Sequence, residues 1–168
     1  PLPLASSETV FLGGAGGGLA AGDLDGDGLV DLAVSSEASI RILLNRSMGP
    51  DAALRFEEAN YSADRPSGEI STGDLDGDGD NDAAFLAEGG VGLLYNIGAG
   101  VFGDPLVLGL SDARQLRLAD LNGDGASDLV VTNRMQGGRV SVFLSHGDGT
   151  YEAPVHIPFG SGLRGVST

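Results

Sequence analysis

The stretch GDLDGDGLVDLAV, residues 22–34, sets four aspartates within nine positions and then runs into apolar residues. Two unit charges about 4 Å apart repel by about 1 kcal/mol in water, and by more at lower dielectric. A turn this rich in carboxylates needs either full solvation or a cation. The same skeleton returns twice. DLDGDGLVD at 23–31 becomes DLDGDGDND at 74–82 and DLNGDGASD at 120–128, spaced 51 and then 46 residues apart.

The surroundings repeat as well. A segment of small residues precedes each acidic stretch: GLAAG (18–22), EISTG (69–73) and LRLA (116–119). Two apolar runs follow it: LAVSS with SIRILLN, AAFLAE with VGLLYN, and LVVTN with RVSVFLS. After a turn, a fourth run begins on an aromatic, in FEEANYS (56–62), FGDPLVLGL (102–110) and YEAPVHIPF (151–159). Phe56 precedes Asp74 by 18 residues and Phe102 precedes Asp120 by 18, whereas 18 beyond Tyr151 is position 169. TVFLGG (9–14) matches the tail of an earlier repeat.

Runs of four to eight residues bounded by Gly, Asn and Asp turns are strands, and no window sustains a helical period. Four short antiparallel strands recurring every 45–50 residues describe a β-propeller-type blade. A β-solenoid has shorter periods. The sequence thus predicts an all-β chain of three four-stranded blades with partial strands at each end, an open arc or part of a larger propeller. The boundaries expected for this single array (1–168) are 1–17 for the end of a preceding blade, 18–66, 67–113 and 114–160 for the three blades, and 161–168 for the first strand of a following one.

Length differences fall between strands. The first repeat carries five extra residues between Asn45 and Phe56, and the third about three in NRMQGGR (133–139). Successive turns of a meander alternate ends, so the acidic loops and the 45–56 connection are expected together, with the 133–139 hairpin opposite.

Composition excludes several classes. Among 168 residues there are 24 acidic and 9 basic ones, for a net charge of −15. That balance opposes nucleic acid and anionic lipid as partners. No apolar run approaches the ~18 residues that insertion in a membrane as a helix requires. PLPLASSETV lacks the basic and apolar segments of a signal peptide. With no cysteine, no disulfide staples the fold.

Calcium accepts six to eight oxygens in forgiving geometry, whereas magnesium takes fewer protein carboxylates and keeps its waters. Positions 1, 3 and 5 of a tight loop aim side chains inward, and glycines between them let the backbone curl. Asp23, Asp25, Asp27 and Asp31 are the expected side-chain ligands of loop one, with the carbonyl of Leu29. Loop two offers Asp74, Asp76, Asp78, Asp82 and the Asp80 carbonyl. Loop three offers Asp120, Asn122, Asp124, Asp128 and the Ala126 carbonyl, with Asn122 making it somewhat weaker. One Ca2+ in each of the three sites would bring the formal charge from −15 to −9. An EF-hand begins similarly but needs a bidentate Glu at position 12 and flanking helices. Position 12 here is Val34, Phe85 and Val131.

A motif of D-x-D/N-G-D-G-x-x-D leading into an apolar strand resembles the calcium loop of FG-GAP/VCBS repeats, the blades of integrin α-subunit propellers and of many secreted bacterial proteins. The resemblance spans almost the whole chain. The Phe-Gly…Gly-Ala-Pro segment of that family is only hinted at in FLGGAGGG (11–18), which places the chain nearer bacterial-type repeat proteins than integrins. The resemblance implies an extracellular or cell-surface module for binding or adhesion, with structural calcium. Its ligand, a protein or a glycan, is not written in the sequence. Family propellers close with about seven blades, so three imply further blades from a parent protein or from self-association. The alternatives are an accessory, non-catalytic part of a secreted enzyme and a structural repeat unit of a surface assembly.

No enzyme is expected. His146 lies in an SHGDG turn and His156 in an outer strand, without a nucleophile elbow, HExxH or phosphate loop. With no Trp and three Tyr, stacking platforms for sugars are scarce. Arg134 and Arg139 on the inserted hairpin are candidates for a partner contact. The sequons at Asn45 and Asn60 are compatible with secretion.

Overall fold

The computed structural model describes residues 17–49, 53–63, 65–134 and 138–158. The strands expected at 9–14 and 161–168, and the tip of the 133–139 hairpin, lie outside those residues. Twelve strands form three antiparallel sheets of four, each a meander in chain order. Blade 1 holds β1 (Leu19–Gly22), β2 (Asp31–Ser36), β3 (Ser39–Asn45) and β4 (Phe56–Ser62). Blade 2 holds β5 (Pro66–Gly73), β6 (Asp82–Ala87), β7 (Gly90–Leu94) and β8 (Leu106–Gly109). Blade 3 holds β9 (Ala113–Ala119), β10 (Asp128–Asn133), β11 (Arg139–Phe143) and β12 (Val155–Pro158).

The chain is all-β, and the three blades stand side by side in an open arrangement that does not close on itself. The first strands of the blades, β1, β5 and β9, neighbour one another. The fourth strands face outward, and β12 is exposed along its whole length.

One expectation needs correcting. The fourth run starts on its aromatic only in blade 1, where Phe56 opens β4 opposite Asn45. In blades 2 and 3 the aromatic makes a lone bridge, Asn96 with Phe102 and Ser145 with Tyr151, and the strand proper begins at Leu106 and Val155. Proline explains it. Pro105 and Pro154 stand three residues past the aromatic, where blade 1 has Ala59, and proline has no N–H to give the ladder.

The core lies in the two seams between blades. Leu24, Ile40, Ile42 and Leu44 of blade 1 meet Ile70, Phe85, Leu94 and Phe102 of blade 2. Leu75, Leu86, Val91 and Leu93 of blade 2 meet Leu116, Leu129, Val131 and Phe143 of blade 3. Strand β6 alternates between them, with Ala83, Phe85 and Ala87 toward the first seam and Ala84 and Leu86 toward the second. A strand buried on both faces is apolar without interruption, which accounts for the run AAFLA.

Polar ties lock each seam at the end that carries the acidic loops. Asn81 and Asn96 donate through Nδ2 to the carbonyls of Asp23 (2.8 Å) and Leu24 (2.7 Å) in the preceding blade. In the second seam, Ser127 N donates to the Asp74 carbonyl (2.8 Å) and Ser145 Oγ to the Leu75 carbonyl (3.3 Å). Further along, the Glu69 carboxylate accepts from Leu116 N (2.7 Å) and pairs with Arg117.

The repeat also marks where the arc is open. Leu24 and Leu75, second in their acidic loops, are 1% and 0% exposed because the next blade covers them. Leu121 holds the same place in loop three and is 54% exposed. At the opposite edge Val30, equivalent to Asn81 and Ser127, is 58% exposed.

Candidate metal centres in the three acidic loops

Each acidic stretch joins the first strand of its blade to the second and is shaped by its own carboxylates. The first aspartate accepts two backbone N–H groups, one on each oxygen. Asp23 takes Gly26 (2.8 Å) and Gly28 (2.9 Å), Asp74 takes Gly77 (2.6 Å) and Gly79 (3.0 Å), and Asp120 takes Gly123 (2.6 Å) and Gly125 (3.0 Å). Gly26 and Gly28 have φ of 75° and 84°, left-handed values that suit glycine and let the chain wrap around Asp23. The third-position side chain caps the fifth residue: Asp25 accepts from Asp27 N (3.2 Å), Asp76 from Asp78 N (3.3 Å) and Asn122 from Asp124 N (3.0 Å). The fifth caps the seventh, so Asp27, Asp78 and Asp124 accept from the N–H of Leu29 (2.8 Å), Asp80 (2.8 Å) and Ala126 (2.9 Å).

The ninth-position aspartates are fully buried and act as backbone clamps. Asp31 accepts from Leu24 N (2.7 Å) on one oxygen and Asn45 N (2.6 Å) on the other. Asp82 does the same with Leu75 and Asn96 (2.7 Å each), and Asp128 with Leu121 (2.8 Å) and Ser145 (2.7 Å). Each ties its loop to the end of the third strand. Position 12, which distinguishes these loops from an EF-hand, lies buried in a strand each time, as Val34, Phe85 and Val131.

Carboxylate oxygens of Asp23, Asp25 and Asp27 lie within 4.8 Å of one another, as do those of Asp74, Asp76 and Asp78. Loop three breaks the triplet with Asn122, whose amide donates to Asp124 (2.8 Å). The surroundings differ too. Loops one and two are partly covered by the turn of the following blade. A Cβ added to Gly100 would come within 3.1 Å of Asp25 Cβ, and one on Gly149 within 3.4 Å of Asp76 Cβ. Asp120, Asn122 and Asp124 are all exposed.

Crowding shows in the ionisation of these groups. Burial pushes the Asp82 carboxyl up to about 7, against the pull of the Asn96 and Leu75 N–H groups, and the charges of Asp76 and Asp78 push the same way. Asp31 and Asp76 are also raised, first by burial and then by neighbouring aspartates.

One participant is not evident from the repeated motif. Arg46, the first residue after β3, places its guanidinium on Asp25, 3.6 Å from Asp27, with Nε 3.1 Å from Glu57. The signal in the sequence is a comparison across repeats, since the same position is Ile97 in blade 2 and His146 in blade 3.

The histidines do not meet. His146 is exposed, and its N–H donates to the Thr150 carbonyl (3.0 Å) in a turn. His156 on β12 sets Nδ1 2.8 Å from the hydroxyl of Ser141, which is buried. Arg134 is exposed just after β10 and Arg139 opens β11, on either side of residues outside the description. The described aromatic side chains all lie at least partly inside. The three tyrosine hydroxyls are engaged between blades or within them: Tyr95 with Gly149 (2.6 Å), Tyr151 with Ser127 (3.2 Å) and Tyr61 with Phe102 N (3.1 Å). Among the described residues no helix is long and apolar enough to cross a membrane.

Known proteins share this architecture. A lectin of Agrocybe aegerita, described as recognising non-reducing terminal N-acetylglucosamine, superposes with a TM-score of 0.58 at 22% identity. That match covers 82% of this chain and 37% of the lectin. The Photorhabdus luminescens Tc holotoxin pore matches with a TM-score of 0.55 at 25% identity, over 87% of this chain and 7% of the toxin chain. The chain therefore spans well under half of either structure. No curated protein matches the sequence. The family model of the FG-GAP-like repeat matches residues 23–85, 74–131 and 120–168, one copy starting at the first aspartate of each loop. The chain belongs to the FG-GAP-like repeat family.

Proposed function

We propose that this chain is a calcium-stabilised segment of an extracellular propeller that serves as a binding or adhesion module, with Ca2+ held structurally in the three acidic loops. The observation that carries the reading is the clustering of hard oxygen donors. Two loops bring three carboxylates within 4.8 Å of one another, and the third keeps the same hydrogen-bonded frame with one amide in place of a carboxylate. The donor set fits the ion: oxygen only, no thiol in the chain, and acidic enough to repay dehydration of a hard cation. In this reading Asp23, Asp25 and Asp27, with Leu29 and Asp31, hold the first ion, and their equivalents hold the other two. Binding to the folded state alone adds stability by mass action. Sites of extracellular modules have Kd around 10⁻⁴–10⁻³ M, so they fill outside the cell, which is the basis for placing the module there.

A protein partner suits the surface better than a glycan, because the described aromatics are occupied inside the blades. The open edges at Val30 and Leu121 suit further blades, from the parent protein or from a second copy. The likeness to a segment of a large toxin assembly favours a second reading, a structural repeat unit without a ligand of its own.

Thermal unfolding with calcium and after EDTA, with light scattering in both, tests the proposal. A melting temperature that falls in EDTA is expected, and an unchanged one would overturn the metal assignment. A defined oligomer in calcium would identify the missing blades as other copies. A monomer would assign them to the parent protein.

A further inference from the structure

Loop one differs from its two copies in one respect that bears on the ion it can take. Its third-position carboxylate is already paired. Asp25, whose side chain is only 6% exposed, accepts Asp27 N on Oδ1 and the Arg46 guanidinium on Oδ2. Arg46 is held from three sides. Its own N–H donates to the Arg55 carbonyl (2.7 Å), Nε reaches Glu57 on β4, and Nη1 lies 3.6 Å from Asp27. Its guanidinium is charged at every pH the protein meets. It therefore relieves the repulsion among Asp23, Asp25 and Asp27 without a free ion. Neither other blade has this device, since Ile97, 69% exposed, and His146 stand in its place.

We propose that Arg46 is the resident counter-cation of loop one and sets an order among the calcium sites: loops two and three take calcium first, and loop one only by lifting Arg46 off Asp25. The inference rests on the calcium reading above.

Isothermal titration with calcium alone, on the unaltered chain and on Arg46→Gln and Arg46→Lys, tests this, with the amide signals of Gly26, Gly28, Gly77 and Gly79 followed by NMR. The unaltered chain should bind two ions and then a third at least tenfold more weakly, and Gly77 and Gly79 should shift before Gly26 and Gly28. Arg46→Gln should tighten the third step about tenfold, and Arg46→Lys should leave it weak. Three equal sites in the unaltered chain would overturn the inference and leave the calcium reading standing, as would Gly26 and Gly28 shifting first. No calcium binding by any variant would overturn both. The NMR order is read on the unaltered chain, so the test survives a variant that does not fold.

Discussion

Asp82 accepts the N–H of Asn96 at 2.7 Å with one oxygen and that of Leu75 at 2.7 Å with the other, so a single buried carboxylate joins the acidic loop of blade 2 to the end of its third strand. Asn96 then passes the connection on, its side chain donating to the Leu24 carbonyl of blade 1. The loop, the blade and the seam thus share one hydrogen-bonded chain. Replacing Asp82 by Ala strands two buried N–H groups, each costing about 1–3 kcal/mol when unsatisfied. Asp82→Ala is expected to lower the unfolding free energy by about 3 kcal/mol even without calcium, read as a shift in the denaturation midpoint. A purely metal-holding role would show no loss in EDTA.

The same residue gives stability a pH dependence of unusual sign. Its carboxyl is raised to about 7 by burial, while in the unfolded chain it ionises near the ordinary value of 3.8. Between those values the unfolded chain has released a proton that the folded chain keeps. Stability contributed by this group is complete below about pH 4 and is lost as the pH rises to 7, at up to about 1.4 kcal/mol per unit. Asp31 and Asp76 shift in the same direction. The calcium-stripped chain should resist urea better at pH 5 than at pH 7.5. Calcium, which favours the ionised carboxylates, should abolish or reverse the difference. Equal midpoints in the stripped chain would refute the shift.

Leu75 and Leu121 occupy the same loop position in opposite settings. Leu75→Ala opens a cavity in the second seam and should cost about 2–5 kcal/mol. Leu121→Ala trims a side chain that is 54% exposed and should change stability far less, by about 0.5 kcal/mol, in the isolated chain. A large effect at Leu121 would mean that something covers it in solution, which paired denaturation curves at two protein concentrations would reveal.

Within blade 2, Gly92 on β7 faces Phe85 on β6 across the ladder. A methyl group there would lie 2.2 Å from the ring of Phe85, which is fully buried in the first seam. Gly92→Ala should therefore destabilise by about 1–3 kcal/mol or more through overpacking. Pairing it with Phe85→Leu should recover part of the loss, because the smaller side chain leaves room. Additive losses in the double variant would argue against this contact.

The legible part of the protein is the part written in local chemistry. An aspartate at position 1 with glycines at 4 and 6 closes its own turn, because every bond involved spans two to five residues, and the motif therefore reads the same in all three copies. The strands follow from apolar runs between turns, and the antiparallel order follows from connections too short for anything else. Where prolines interrupt the fourth strands at Pro105 and Pro154, the sequence held the information and the shared aromatic register obscured it.

The remainder depended on residues far apart in the chain. Asn81 and Asp23 are 58 positions apart, Asn96 and Leu24 72, and Arg46 and Asp25 21, and nothing in the spacing of the repeats announces those pairings. The sequence by itself determined the blades and the acidic turns, since short-range hydrogen bonds close the turns and short apolar runs between them specify the strands. Only the tertiary structure decided which loop carries an arginine on its carboxylates, which leucine is covered and which edge is left open. Those properties belong to the surface that a neighbouring blade presents, and a motif read along one strand has no access to it.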